Sequence, residues 1–212
     1  VYSGTPGAND IGRLNNGSQY FNGSIDELMI FNRALSEDEI NKLYNSGLGK
    51  YKPLNNNLIN VRKLDSNSLV GYWTMDEIDG TTLIDKMGVN NGTIYGATQV
   101  DGKIGKALSF DGVDDYVATS DFSWTRNDSF SVSAWVKPTA SVIATNNNGI
   151  LGKMTYEWGF LHATSGLYFE YWNPTGSERS LFISSTTKLT ADVWSNIVIS
   201  YNGSVGTLYV NG

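Results

Sequence analysis

Cysteine is absent from the 212-residue chain, histidine occurs once, at His162, and proline only four times. Without cysteine there is no disulfide framework, no thiolate zinc site and no cysteine nucleophile. A single histidine leaves little room for a histidine-dependent catalytic set. Basic charge is sparse as well: 15 Lys and Arg stand against 21 Asp and Glu, for a net charge of −6 and a pI of about 4.7. No basic block occurs, which argues against nucleic acid and anionic membranes as partners, because phosphate neutralisation needs clustered Lys and Arg. Long apolar runs are lacking too. The stretches present fall far short of the ~20 residues that cross a bilayer, so membrane insertion is not expected. The chain begins at Val1 with neither an initiator Met nor a basic-then-apolar leader, so any targeting signal is expected to be removed or to lie outside the segment.

What is present argues for a globular all-β chain. Hydrophobic residues make up 40% and aromatics 12%, while charged residues reach only 17% against the roughly 25% usual in soluble domains. Residues 67–212 read as short strands separated by turns: Leu69 to Trp73, Ala107 to Phe110, Tyr116 to Thr119, Ser129 to Val136, Gly149 to Lys153, Leu167 to Trp172, Trp194 to Tyr201 and Gly206 to Val210. In Phe130, Val132, Ala134 and Val136 one face is apolar, with Ser129, Ser131, Ser133 and Trp135 on the other, the pattern of a half-buried antiparallel strand. Asp111-Gly112, Thr164-Ser165-Gly166 and Asn202-Gly203 mark turns between such runs. Regularly spaced strands of this kind predict a two-sheet antiparallel jelly-roll sandwich.

One helix interrupts the pattern. Ser36 followed by Glu39 is a capping-box spacing, Glu37 and Asp38 suit the positive end of a helix dipole, and Gly47 is a natural stop. These signals predict a short surface helix over 37–46, with Ile40, Leu43 and Tyr44 on the face turned to the sandwich. Residues 49–66, with Pro53 and the Asn55-Asn56-Asn57 run, read as a linker with enough apolar residues to lie partly against a domain.

The stretch Gly23-Ser24-Ile25-Asp26-Glu27-Leu28-Met29-Ile30-Phe31-Asn32-Arg33-Ala34-Leu35-Ser36, with Glu39-Ile40 after it, resembles the closing segment of laminin G-like domains in the concanavalin A-like lectin/glucanase group. The stretches Val70-Gly71-Tyr72-Trp73-Thr74-Met75-Asp76-Glu77 and Gly105 to Val117 resemble that family's opening segment, and Trp194 to Tyr201 and Leu208 to Gly212 its later strands. The order is the departure. The family's end comes first, at residues 1–48, and its beginning second, at residues 67–212, so neither half is a whole domain. The halves either close within one chain as a circular permutant, or residues 1–48 complete the sandwich of a neighbouring copy head-to-tail, or the segment is one period of a tandem array.

Three kinds of chemistry follow from these residues. Glu77-Ile78-Asp79 begins like the strand motif of laminarinase-type glucanases in the resemblance group, but Gly80, Thr81 and Thr82 follow, so the second glutamate is missing and no enzyme is expected. Calcium is the expected cofactor: the resemblance implies a structural ion near Asp26, Asp76 and Asp111, alternatively acids satisfied by backbone amides in turns. Glycans are the expected ligand. Tyr156, Trp158 and Phe160 alternate along one strand, and Tyr168, Glu170 and Trp172 along the next, where aromatic faces stack on sugars and a carboxylate accepts hydroxyl hydrogen bonds. The same rings also suit a core or a subunit contact.

Asn16, Asn22, Asn91, Asn127 and Asn202 head Asn-x-Ser/Thr acceptors and fit a secreted, glycosylated surface, while His162 reads as a partly buried polar residue. The expectation is an extracellular structural or adhesive protein, a filament or surface-array subunit partnered by copies of itself and stabilised by calcium. The alternative is a monomeric, circularly permuted carbohydrate-binding module.

Overall fold

The alternation of Phe130, Val132, Ala134 and Val136 demands a strand that gives one face to a core, and the computed structural model places it at Phe130–Pro138 with those four side chains between two sheets. The structure describes residues 9–14, 19–47, 67–122, 124–125, 127–145, 148–153, 158–172 and 179–212; the 49–66 linker lies outside them. The leading segment supplies β1 (Asn9–Ile11), β2 (Arg13–Leu14), β3 (Gln19–Tyr20), β4 (Asn22–Phe31) and helix α1 (Glu37–Gly47). Then come β5 (Leu69–Trp73), β6 (Ile78–Asp79), β7 (Thr82–Leu83), β8 (Gly92–Tyr95), β9 (Thr98–Asp101), β10 (Lys106–Asp111) and β11 (Tyr116–Thr119). The last third holds β12 (Phe130–Pro138), helix α2 (Ala140–Ala144), β13 (Asn148–Lys153), β14 (Trp158–Ala163), β15 (Gly166–Trp172), β16 (Arg179–Ser185), β17 (Ser195–Tyr201) and β18 (Gly206–Val210).

These strands form a two-sheet antiparallel sandwich. One sheet has nine strands in the order β16-β15-β14-β13-β1-β11-β8-β7-β6. The other has seven, β18-β17-β12-β4-β10-β9 with β5 also on β4, and β2-β3 form a separate two-stranded piece. Residues 9–31 give a central strand to each sheet. β1 lies between β11 and β13, and β4 lies between β12 on one side and β10 and β5 on the other. Removing this segment would leave rows of unpaired backbone groups in both sheets, which is why the two parts of the chain fit as complements.

The core between the sheets is rich in large aromatics. Trp124 packs on Phe130 at 4.5 Å and on Trp158 at 4.7 Å, and Phe130 on Phe169 at 5.0 Å. Contrary to the half-buried expectation, both faces of β12 are covered, because α1 lies across the outer face of the seven-stranded sheet. Ile40 and Leu43 pack there with Met29, Phe31, Leu35 and Val198, and Tyr44 stacks on Trp135 at 5.7 Å. Each of those two helix side chains contributes about 1.5–3 kcal/mol by leaving water. The capping box forms as read: the Ser36 N–H donates to Glu39 Oε2 at 2.9 Å and the Glu39 N–H to Ser36 Oγ at 3.4 Å. His162 is fully buried rather than partly so, since it faces the sandwich interior opposite Leu167.

Candidate functional site

Strand alternation divides β15 cleanly. Leu167 and Phe169 enter the core, so Tyr168, Glu170 and Trp172 share the outer face of the nine-stranded sheet, with Tyr168 and Trp172 half-buried and Glu170 buried between them. Trp158 does not join them. It pairs with Tyr171, faces inward and is 1% exposed, which removes it from the expected glycan platform; the core reading holds for it and for Phe160. Tyr156 lies outside the described residues.

Across the sheet the register aligns Glu170, Gly159, Gly152, Asp10, Ala118 and Thr93 in one row on this outer face. The two glycines give the row a floor without side chains, and the chain leading into β2 crosses it. A Cβ on Gly152 would lie 2.1 Å from Leu14 Cδ1 and one on Gly159 2.6 Å from the same atom, so Leu14 requires glycine at both positions. Beside it Arg13 donates from Nε and Nη2 to Asp10 Oδ2 at 3.0 and 2.8 Å, and its guanidinium lies 3.3 Å from the centre of the Tyr116 ring. Tyr116 stacks on Tyr95 at 4.5 Å, and Tyr95 is 39% exposed. Burial pushes the Asp10 carboxyl up to about 6 against the pull of Arg13. The sequence reading missed Arg13, Tyr95 and Tyr116, whose meeting depends on strand register alone.

Asp26 and Asp76 do come together, on either side of the β9–β10 turn. Asp26 Oδ2 accepts the N–H groups of Lys103 at 2.8 Å and Ile104 at 2.9 Å, and Asp76 Oδ1 accepts the Lys106 N–H at 2.6 Å. Gly105 makes this approach feasible. Its φ of +60° suits glycine, and a Cβ there would sit 2.3 Å from Asp76 Oδ1. Glu27, in a left-handed conformation at φ 51°, accepts the Tyr72 hydroxyl at 2.5 Å. Burial raises Asp26 to about 7, with the Asp76 charge adding to the shift, and raises Glu27 to about 8, with Asp26 and Asp76 adding. Asp26 Oδ1 is buried without a partner. A hard cation fits such a donor set, since Asp26 and Asp76 would hold it and its charge would relieve the crowded carboxylates.

Asp111 stands apart from that pair. It lies opposite Asn22, four positions along β4 from Asp26, or ~13 Å at strand spacing. It belongs instead with Asp114 and Asp115, the one set of three carboxylates among the described residues whose oxygens lie within 4.8 Å of one another. There Asp111 Oδ1 accepts the Val113 N–H at 2.8 Å and Asp115 Oδ2 the Asp111 N–H at 2.9 Å, the turn chemistry weighed against calcium. The geometry therefore does not bring Asp111 together with Asp26 and Asp76 as expected.

Of the acceptor asparagines, Asn91, Asn127 and Asn202 are exposed. Asn22 donates its amide nitrogen to the Asp111 carbonyl at 2.6 Å, which occupies the atom a glycan would need. Asn16 lies outside the described residues. Glu77 pairs with Lys86 at the surface, and Asp79 is exposed on β6.

A laminin G-type family model, described as the concanavalin A-like lectin/glucanases superfamily, matches residues 1–41 and 111–212. No curated protein matches the chain, and no solved structure does. No helix among the described residues is long and apolar enough to cross a membrane.

Proposed function

The chain belongs to the concanavalin A-like lectin/glucanase superfamily as a laminin G-like domain, and from that premise we propose that it is a non-enzymatic, extracellular adhesive domain that binds glycan. The observation that carries this reading is the outer face of the nine-stranded sheet, where Tyr168 and Trp172 stay only half-buried on either side of Glu170. Aromatic faces flanking a carboxylate suit the C–H surfaces and hydroxyls of a sugar chain. Hydrolysis lacks support, because Glu77 is tied to Lys86 and Gly80, Thr81 and Thr82 follow Asp79 where the second glutamate of the glucanase motif would stand. Calcium enters as a structural ion held by Asp26 and Asp76, on opposite parts of the chain, so that it ties residues 1–48 to residues 67–212.

A glycan array tests the binding. Wild-type protein is expected to retain a subset of neutral glycans, with Tyr168→Ala and Trp172→Ala each lowering retention about tenfold, in line with the loss of one stacking ring. Unchanged binding in both variants overturns the reading.

A second reading is favoured by one observation, the placement of β1 and β4 as central strands of both sheets. A segment that completes two sheets is also the segment a neighbouring copy would donate in a head-to-tail filament or array. Light scattering with calcium and with chelator decides it: polymers that shorten in chelator support exchange, and a monomer in both conditions rejects it.

A further inference from the structure

We propose that the chain forms an intramolecular amide cross-link, in which the side-chain nitrogen of Lys153 on β13 is joined to the side-chain carbonyl carbon of Asn9 on β1 with release of ammonia. β1 lies between β13 and β11, and the register sets Lys153, Asn9 and Thr119 side by side in one row. Two residues along, the row Leu151, Ile11 and Val117 is in the core, so the first row looks inward as well. Asn9 is fully buried, and Lys153, 5% exposed, is the one buried lysine among the described residues.

The lysine side chain spans the middle strand. Its ammonium meets Asp121 Oδ1 at 3.1 Å, two residues beyond β11, so from β13 it passes over β1 at the level of Asn9. Asn9 leans the same way, since its Nδ2 donates to the Ser120 carbonyl at 2.9 Å. Amine and amide therefore converge on Ser120 and Asp121. Thr119 Oγ1 lies 3.2 Å from the main-chain carbonyl of Asn9 and donates to it, which holds β1 in place at this level. Asn9 Oδ1 is buried without a partner, so no hydrogen bond has to be broken at the carbonyl under attack. Such enforced proximity replaces the encounter that makes amine–amide exchange slow in water.

The chemistry balances with the groups present. An ammonium has no lone pair, and burial favours the neutral amine. Asp121 takes one proton from Lys153, which turns the ion pair into an amine and a carboxylic acid. The Nζ lone pair then forms a bond to Asn9 Cγ. Asp121 gives its proton to Asn9 Nδ2 and takes a second one from Nζ; the Cγ–Nδ2 bond breaks and ammonia leaves past exposed Ser120. The proton remaining on Asp121 follows it as ammonium, and the carboxylate is restored. No oxidant or further reactant is needed. By contrast, Lys106 pairs with Asp101 at the exposed surface, where water keeps the ammonium charged. The cross-link fastens the leading segment to the strand beside it, which suits a domain that bears load, and it does not depend on glycan binding.

The test is intact-mass spectrometry of the full chain, produced in a bacterial host so that glycans add no mass. The wild type is expected about 17 Da below the mass its sequence sums to, the loss of one ammonia, and a digest should contain a branched peptide joining Asn9 to Lys153. Lys153→Arg keeps a cation for Asp121 but has no nucleophilic amine, and it should restore the sequence mass. Asp121→Ala should do the same with an unchanged circular dichroism spectrum, since that side chain is half exposed. A wild-type mass equal to the sequence mass overturns the proposal, as does full cross-linking of Asp121→Ala. A loss of about 17 Da that persists in Lys153→Arg overturns it too, as ring closure of an asparagine on its own backbone, and so does a loss of about 18 Da with the branch at Asp121, a lysine–aspartate amide. Branched peptide recovered only from covalent dimers would put the bond between copies and overturn the intramolecular form.

Discussion

Trp158 and Trp172 occupy opposite faces of the adjacent strands β14 and β15, and that difference sets what each can do. Trp158→Ala should cost about 3–5 kcal/mol in urea unfolding, because it empties the centre of the aromatic core. Trp172→Ala should cost about 1 kcal/mol or less and reduce glycan retention instead. Equal destabilisation by the two would mean the outer face is not a surface. The alternation of these residues was legible in the sequence, because a strand's period of two fixes which side chains share a face. Which face looks inward was not, since period alone leaves the sign undetermined. The same limit hid the meeting of Arg13 with Tyr116, which belong to strands far apart in the chain. Gly105 carries the other prediction at this scale. Gly105→Ala forces a side chain at φ +60° into Asp76 and should lower stability by about 1–3 kcal/mol, read as a lower urea midpoint. Unchanged stability would show that the β9–β10 turn does not need its conformation.

At the scale of elements, α1 is held by a local lock as well as by its apolar face. Arg33 donates from Nη1 and Nη2 to the two Glu39 oxygens at 2.9 and 2.7 Å, and Glu39 also closes the capping box with Ser36. The hydrogen bonds from Arg33 hold the Glu39 carboxyl down at about 2. A depressed folded-state value means stability present above the usual carboxylate range near 4.5 and lost as pH falls toward 2. Glu39→Gln should therefore lower stability by about 1 kcal/mol at pH 7 and flatten the decline between those pH values, measured by thermal unfolding in a pH series. A wild-type slope in the variant would assign the decline to other groups. The helix was legible to within a residue because capping chemistry is local. β1 was not, because Asn9-Asp10-Ile11 has no propensity signal and is a strand only through its two neighbours. The two-residue strands β2, β3, β6 and β7 escaped for the same reason. The buried outer face of β12 escaped because the helix that covers it is distant in sequence.

For the whole molecule, closure rests on the leading segment staying docked, and the acids at the β9–β10 turn bear on that directly. Asp26 and Glu27 belong to β4, Asp76 follows β5, and burial lifts Asp26 to about 7 and Glu27 to about 8. Groups whose folded-state values are raised contribute stability that is full below their ordinary carboxylate range and is lost as pH climbs through 7 and 8. His162 acts in the opposite sense. Its burial lowers its value below 6.5, so the folded state loses stability as pH falls through that range. Substitution separates the two. In chelator, the melting temperature of the wild type should fall between pH 6 and pH 8.5 more steeply than that of Asp26→Asn, in which the histidine contribution is unchanged. Calcium held there, as proposed, would supply positive charge once the carboxylates ionise. It should raise the melting temperature at pH 8.5, by the mass-action amount of about 2.7 kcal/mol at a hundredfold excess over its dissociation constant, and far less at pH 6. Asp26→Asn should abolish most of that gain, and Asp111→Asn, in the separate turn cluster, should leave it intact. A calcium response that is equal at both pH values, or that survives Asp26→Asn and disappears in Asp111→Asn, would place the ion at the Asp111 turn and leave the two parts of the chain joined by strand pairing alone.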